Sequence, residues 1–150
     1  MATPTNTQFA VAVHVLVYLA SVGRNEQRSI GSEELAGSTA VNPVHVRRVL
    51  GPLRTAGLVH SKPGAKGGWE IGADPREIGL DRVWAVLQGD DPVLGLHGPS
   101  PRCAVGAGVQ EILQGVEREV SAAVVDRLAR RSIADLVTEA HLEAAVGPPR

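Results

Sequence analysis

Side chains able to do chemistry are concentrated in one stretch of this 150-residue chain. His45, Arg47 and Arg48 follow Val44 directly after Asn42-Pro43, and Arg54, Lys62 and Lys66 come soon after. An arginine fork can take two acceptors on a guanine edge, and a lysine takes a phosphate as a point charge. From Leu35 to Trp69 no Asp or Glu opposes these five Arg and Lys residues. Residues 1–69 hold seven Lys+Arg against three Asp+Glu, and residues 70–150 hold eight against thirteen, so +4 and −5 make the total of −1. A near-neutral chain therefore has a basic front and an acidic back, which suits docking of one face on phosphates with release of counterions. The other reactive candidate is Cys103, the single thiol, preceded by Arg102. A neighbouring cation or a helix N-terminus favours the thiolate, which makes Cys103 a redox-sensing candidate; the alternative is a small buried apolar residue. One cysteine excludes an intramolecular disulfide and a cysteine-rich zinc site, and suits a reducing cytoplasm. The five histidines show no metal-ligand spacing. No nucleophile elbow or His-Glu-x-x-His helix is present, so neither a metal site nor an enzyme is expected.

These side chains need elements to position them. Asn42 is a good N-cap and Pro43 fits the first helical position, so a helix starts at Pro43. Val46, Val49, Leu50 and Leu53 recur at i, i+3, i+4 and i+7 and face a core, while Gly57 stops the helix. The far side presents Val44, Arg48 and Thr55, with His45 and Arg47 on its flanks. A shorter helix, opened by Ser32, Glu33 and Glu34 and ending near Ala36, precedes it. The pair has the order of a helix-turn-helix, in which early residues of the second helix meet base edges in the major groove. Those residues are Val44, His45, Arg47 and Arg48. After Gly57, LVHSKPGAKGGWEIG reads as two strands, 58–62 and 69–72, around a Pro/Gly-rich turn, with Lys62 and Lys66 flanking its tip. Gly64, Gly67 and Gly68 serve turn geometry through positive φ. GAKGG lacks the spacing of a phosphate-binding loop.

The flanks complete a mainly α fold with a small β-hairpin. Phe9 to Val22 reads as a buried helix capped by Thr7 or Asn6 and ended by Gly23, with Phe9, Val13, Leu16 and Ala20 on one side. It is too short for a membrane span, and no membrane partner is expected. Leu80 to Leu87 forms a helix with Val83, Trp84 and Leu87 inward and Gly79 as a weak cap. Residues 88–108, rich in Gly, Pro and Asp, read as a loop. Val109, Ile112, Leu113, Val116, Val120, Ala123, Val124 and Leu128 then form an apolar seam along a long helix, and so long a seam calls for a partner helix. Ser132 to Asp135 reads as a capping box before a last helix from 133 to about 145. The domains expected are a winged helix-turn-helix at 1–87, a loop at 88–108, and a long helix with a C-terminal helix at 109–150.

YLA at 18–20, EELA at 33–36, LRTAGLV at 53–59, GGW at 67–69 and SIADL at 132–136, in this order, make the chain resemble the Rrf-two family of bacterial transcription regulators. The resemblance implies a cytoplasmic homodimer that presses two recognition helices into successive major grooves of a pseudo-palindromic operator, as a repressor, with the long helix as its dimer contact. Cluster-binding members take three cysteines from the 88–108 loop. Only Cys103 stands there in this chain, so no iron–sulfur cofactor is expected. Two departures bear on DNA reading: Val44 stands where relatives read a base by hydrogen bonding, and Pro63 stands where cluster-type relatives carry a wing arginine. A winged-helix protein-interaction module using the 43–56 face, or a regulator answering a small-molecule ligand, is the alternative.

Overall fold

The computed structural model describes residues 7–142. Asn6 as a cap, the end of the last helix beyond 142 and the Gly147-Pro148-Pro149-Arg150 tail lie outside the described residues.

The chain opens with one helical run, Thr7–Glu26, made of α1 (Thr7–Tyr18), a π-helical turn (Leu19–Gly23) and α2 (Arg24–Glu26). The run passes through Gly23, where an end was expected. Gly23 keeps right-handed helical angles, and the helix stops only at Gln27, whose φ is 51°. The wider turn coincides with Ser21: its buried hydroxyl donates to the carbonyl oxygens of Val17 at 2.7 Å and Tyr18 at 3.4 Å, competing with the backbone ladder. The deep face is Val11, Ala12, Val15, Leu16, Leu19 and Ala20, while Phe9 and Val13 are only half-buried. The run is apolar on nearly all sides, so no single stripe marks its inner face. Its length and composition would suffice to cross a membrane, but it is the central helix of the core, packed on by several later helices.

Helix α3 (Ser32–Thr39) leads through a turn into α4 (Pro43–Thr55). As expected, Asn42 caps α4 by accepting from Val44 N at 2.8 Å, and Val46, Val49, Leu50 and Leu53 are buried. Two local readings change. Helix α3 runs on to Thr39, and its cap position is Gly31 without a side-chain bond; the Ser32 hydroxyl instead accepts from Trp69 Nε1 at 3.3 Å. Pro52 sits inside α4, near its end, where the missing N–H withdraws one rung from the Arg48 carbonyl. In the turn, Ala40 adopts left-handed angles, φ 57°.

The wing pairs β1 (Val59–Lys62) with β2 (Gly68–Ile71), antiparallel, in the register Val59↔Ile71 to Lys62↔Gly68. Ile30 adds a third edge: its N–H donates to Trp69 O at 2.9 Å and its carbonyl accepts from Trp69 N at 2.8 Å. The glycines do different jobs. Gly64 and Gly68 have positive φ, 102° and 150°, whereas a Cβ on Gly67 would collide with the Lys62 and Pro63 carbonyls.

A 3-10 turn (Pro75–Glu77) precedes α5 (Leu80–Gln88), whose cap Gly79 makes no side-chain bond. After the loop at 89–103 comes α6 (Ala104–Leu128), which begins five residues earlier than the apolar seam suggested. Residues 104–108, AVGAG, lack helical periodicity. Cys103 starts the helix as its N-cap, and Gly106 gives room to Pro99, whose Cβ would lie 2.9 Å from a Cβ placed there. The capping box before α7 (Ile133–Glu139) is complete. Ile133 N donates to Ile78 O at 2.8 Å and Leu80 N to Arg131 O at 2.9 Å, which ties the starts of α5 and α7 together. The core unites α1, α3, α4, the wing base, α5 and Ile133. Helix α6 contributes no buried residue.

Candidate nucleic-acid interface

Burial of the Val46, Val49, Leu50 and Leu53 stripe against α1, α3 and α5 fixes which side of α4 is open. On that side Val44 is 51% exposed, and Arg47 and Arg48 are exposed beside it. The turn and cap hold the first helical turn, so these three side chains form one presented surface. His45 is a correction to the expected set. Its Nε2 is buried and without a hydrogen-bond partner among the described residues, and the ring lines a cavity with Trp84 and Asp91, away from the open face. One helical step separates His45 from the buried Val46, and the spacing alone could not say to which side its ring would turn.

The remaining basic residues divide by partner. The Arg54 guanidinium lies 6.0 Å from the Trp69 ring centroid, and Trp69 also reaches Ser32, so Arg54 joins the end of α4 to the wing and to the start of α3. Lys62 Nζ donates to Glu70 Oε2 at 3.1 Å, and His60 Nε2 lies 3.0 Å from the same oxygen. These two neighbours, Lys62 first, hold the Glu70 carboxyl below its usual range. Glu70 was not anticipated, although the hairpin register puts it directly opposite His60. Lys66 is exposed at the hairpin tip.

A second surface lies across α1 and α3. Arg28 donates to both Glu34 carboxylate oxygens at 2.8 Å and also pairs with Glu26. The Arg28 contact lowers the Glu34 pKa to about 2. Tyr18 Oη donates to Glu34 Oε1 at 2.6 Å, and this bond raises the phenol to about 12. Beside them runs an apolar groove of about 750 Å³, lined by residues including Val13, Val17, Val22, Leu80, Leu136 and Leu142. Helix α6 carries a separate apolar surface: Val105, Val109, Ile112, Val116 and Val125 are exposed, while Leu113, Val120, Val124 and Leu128 are half-buried. Cys103 is exposed at the start of α6, its Sγ accepting from Gly106 N at 3.4 Å.

An exposed arginine pair on the second helix of a helix-turn-helix, followed by a cationic wing, defines a DNA-binding transcriptional regulator. The chain belongs to the Rrf2 (Rrf-two) family, whose model, described as an iron-dependent transcriptional regulator, matches residues 5–139. YwnA of Bacillus subtilis (strain 168), named as an HTH-type transcriptional regulator, is 32% identical over 133 residues, 88% of this chain and 96% of its own. The crystal structure of a transcriptional regulator from Lactobacillus plantarum superposes with a TM-score of 0.75 at 24% identity, covering 89% of each chain. The oxidized form of Staphylococcus aureus CymR superposes with a TM-score of 0.63 at 24% identity, covering 89% of this chain and 95% of its own. Such regulators are not enzymes. The family description invokes iron, but the residues present do not fit an iron–sulfur cluster. Such a cluster needs several thiolates; the chain has one cysteine, and no group of three or more His, Cys, Asp or Glu side chains among the described residues could hold a metal ion.

Proposed function

We propose that the chain is a cytoplasmic homodimeric repressor in which α4 enters the major groove and the wing tracks the adjacent backbone. The observation that carries this reading is the open face of α4, where Val44, Arg47 and Arg48 project from a helix whose opposite stripe is buried. Arg47 and Arg48 read guanine edges, Val44 packs on a thymine methyl, and Lys66 meets phosphate at the wing tip. Lys62 reaches phosphate only by leaving Glu70, and Arg54 steadies the wing through Trp69 while its charge faces the backbone. The exposed apolar side of α6 and the groove beside α1 support a second copy as the dimer partner, since so extended an apolar surface is unusual on a monomer.

The test is fluorescence anisotropy with DNA from upstream of the protein's own gene. Affinity falls steeply between about 50 and 200 mM salt if phosphates are neutralised. Arg48→Ala lowers discrimination between operator and scrambled DNA by about tenfold or more; an unchanged sequence preference refutes base reading by Arg48. Exposure of Cys103 at a helix start favours thiol sensing: peroxide transfers one oxygen to the sulfur, leaving a sulfenic acid and water. Cys103→Ser then removes any oxidant response, and a variant that responds like the parent places the signal elsewhere.

A further inference from the structure

We propose that the cavity behind the first turn of α4 is an effector site for a small organic ammonium compound. The effector role rests on the DNA-binding reading above; the binding site does not. The cavity measures about 450 Å³, within the range of small-molecule sites. Its floor is apolar and braced: Trp84 meets Phe9 edge-on, with ring centroids 5.4 Å apart and planes at 75°, and Leu87 lies beside it. Into it faces His45, whose Nε2 is buried and has no partner among the described residues. Buried polar atoms without partners are rare because desolvation is costly, and a neutral imidazole with a bare Nε2 accepts an N–H.

The outer wall is formed in advance. Gln88 Nε2 donates to the carbonyls of Asp91 at 2.9 Å and Pro92 at 3.3 Å. From the other side, Val93 N and Leu94 N donate to the two carboxylate oxygens of Glu117 on α6, at 2.8 and 2.6 Å. The loop at 91–94 is thus clasped between α5 and α6.

Charge selects the ligand. Asp91, exposed at the mouth, is the one carboxylate among the described lining residues, and no Lys or Arg is among them. An anion would meet the Asp91 carboxylate with no Lys or Arg in the described lining to offset it. A cation gains the Asp91 charge beside the aromatic Trp84 and the His45 acceptor. The site touches the regulator at its most sensitive point, because His45 lies between Val44 and Arg47 in the first turns of α4. Fixing that ring fixes the presentation of its neighbours. The same ligand bears on the loop that Glu117 holds to α6.

Phenethylamine and phenylacetate, similar in size and opposite in charge, are suitable probes for calorimetry on the full-length protein without DNA. The expected result is saturable binding of phenethylamine, one per chain, with phenylacetate about tenfold weaker or more. Asp91→Asn and His45→Phe should each weaken phenethylamine by a similar factor. In the unaltered protein, the Trp84 indole N–H resonance should shift on titration while that of Trp69, bonded to Ser32, stays in place. No saturable binding, equal binding of both probes, undiminished binding in both variants, or a shift at Trp69 alone overturns the site. Saturating phenethylamine should then change DNA affinity several-fold. Binding without that change overturns the effector role, whereas a protein that binds phenethylamine but no DNA refutes the DNA-binding reading and leaves the site standing.

Discussion

Gly68→Ala tests how the wing is attached. Gly68 has φ 150°, and a Cβ built on it would lie 2.6 Å from Ile30 O and 2.7 Å from Ile30 C, closer than real Cβ atoms come. The obstacle is backbone, so no side-chain rotation relieves it. The strand must move away and give up the two Ile30–Trp69 hydrogen bonds, each contributing about 1 kcal/mol net. Residual backbone strain adds about 1 kcal/mol or more. A loss of about 3 kcal/mol follows, a large share of the roughly 5–15 kcal/mol that holds a domain together. Urea denaturation followed by far-ultraviolet circular dichroism, at one fixed protein concentration, should show a midpoint lower by about 1–2 M. Gly37→Ala is the companion: Gly37 lies exposed inside α3 with nothing within 4 Å of an added Cβ, so it should stabilise by about 0.5–1 kcal/mol. A Gly68→Ala midpoint equal to the parent's would refute the claim that the Ile30 approach, and not turn preference alone, demands this glycine.

Other outcomes follow from single contacts. Asn42→Ala removes the acceptor for Val44 N and should cost about 1 kcal/mol in the same assay; no loss would mean that Pro43 and tertiary packing suffice to start α4. Ala40→Gly relieves a left-handed alanine and should leave stability unchanged or raise it by about 0.5 kcal/mol, since glycine's looser unfolded chain offsets part of the relief. The Glu34 carboxyl, lowered from 4.5 to about 2 chiefly by Arg28, contributes stability that is complete above about pH 4.5 and lost as pH falls toward 2. With a side chain 35% exposed, screening leaves about 1 kcal/mol. Glu34→Gln should flatten that part of the stability–pH curve, and a parallel curve would show the contact to be idle.

The helix-turn-helix and wing were legible because punctuation and periodicity agree there. Asn42-Pro43 opens α4, the Val46 to Leu53 stripe orients it, and glycines bracket the hairpin. The illegible features depend on contacts between distant residues. Ile30 joins the wing through Trp69, across 39 positions, and nothing local to Ile30 announces a strand. Ser32 reads as a cap but is taken by the Trp69 indole. Helix α6 begins in AVGAG, where composition argues for a loop and the Cys103 cap with Pro99 against Gly106 decides otherwise. Of the expected interface, Val44, Arg47 and Arg48 share one surface, Lys66 stands at the wing tip, and Lys62 and Arg54 have intramolecular partners. His45 left that surface because helical periodicity assigns a side chain only to a sector, and at a sector's edge the neighbouring elements choose.

Helix α6 also divides the molecule by timescale. Its 25 residues make a rod about 37 Å long, with none of them buried within its own chain. A helix held along one side only, through the half-buried Leu113, Val120, Val124 and Leu128, opens locally more readily than the helices of the core. The backbone amides on the buried sides of α1 and α4 are the ones expected to exchange most slowly, through opening of the whole domain. If α6 forms the proposed dimer contact, protection of its amides should rise with protein concentration while that of the buried α4 amides stays level. Deuterium uptake along one chain would therefore read folding and assembly as two separate clocks.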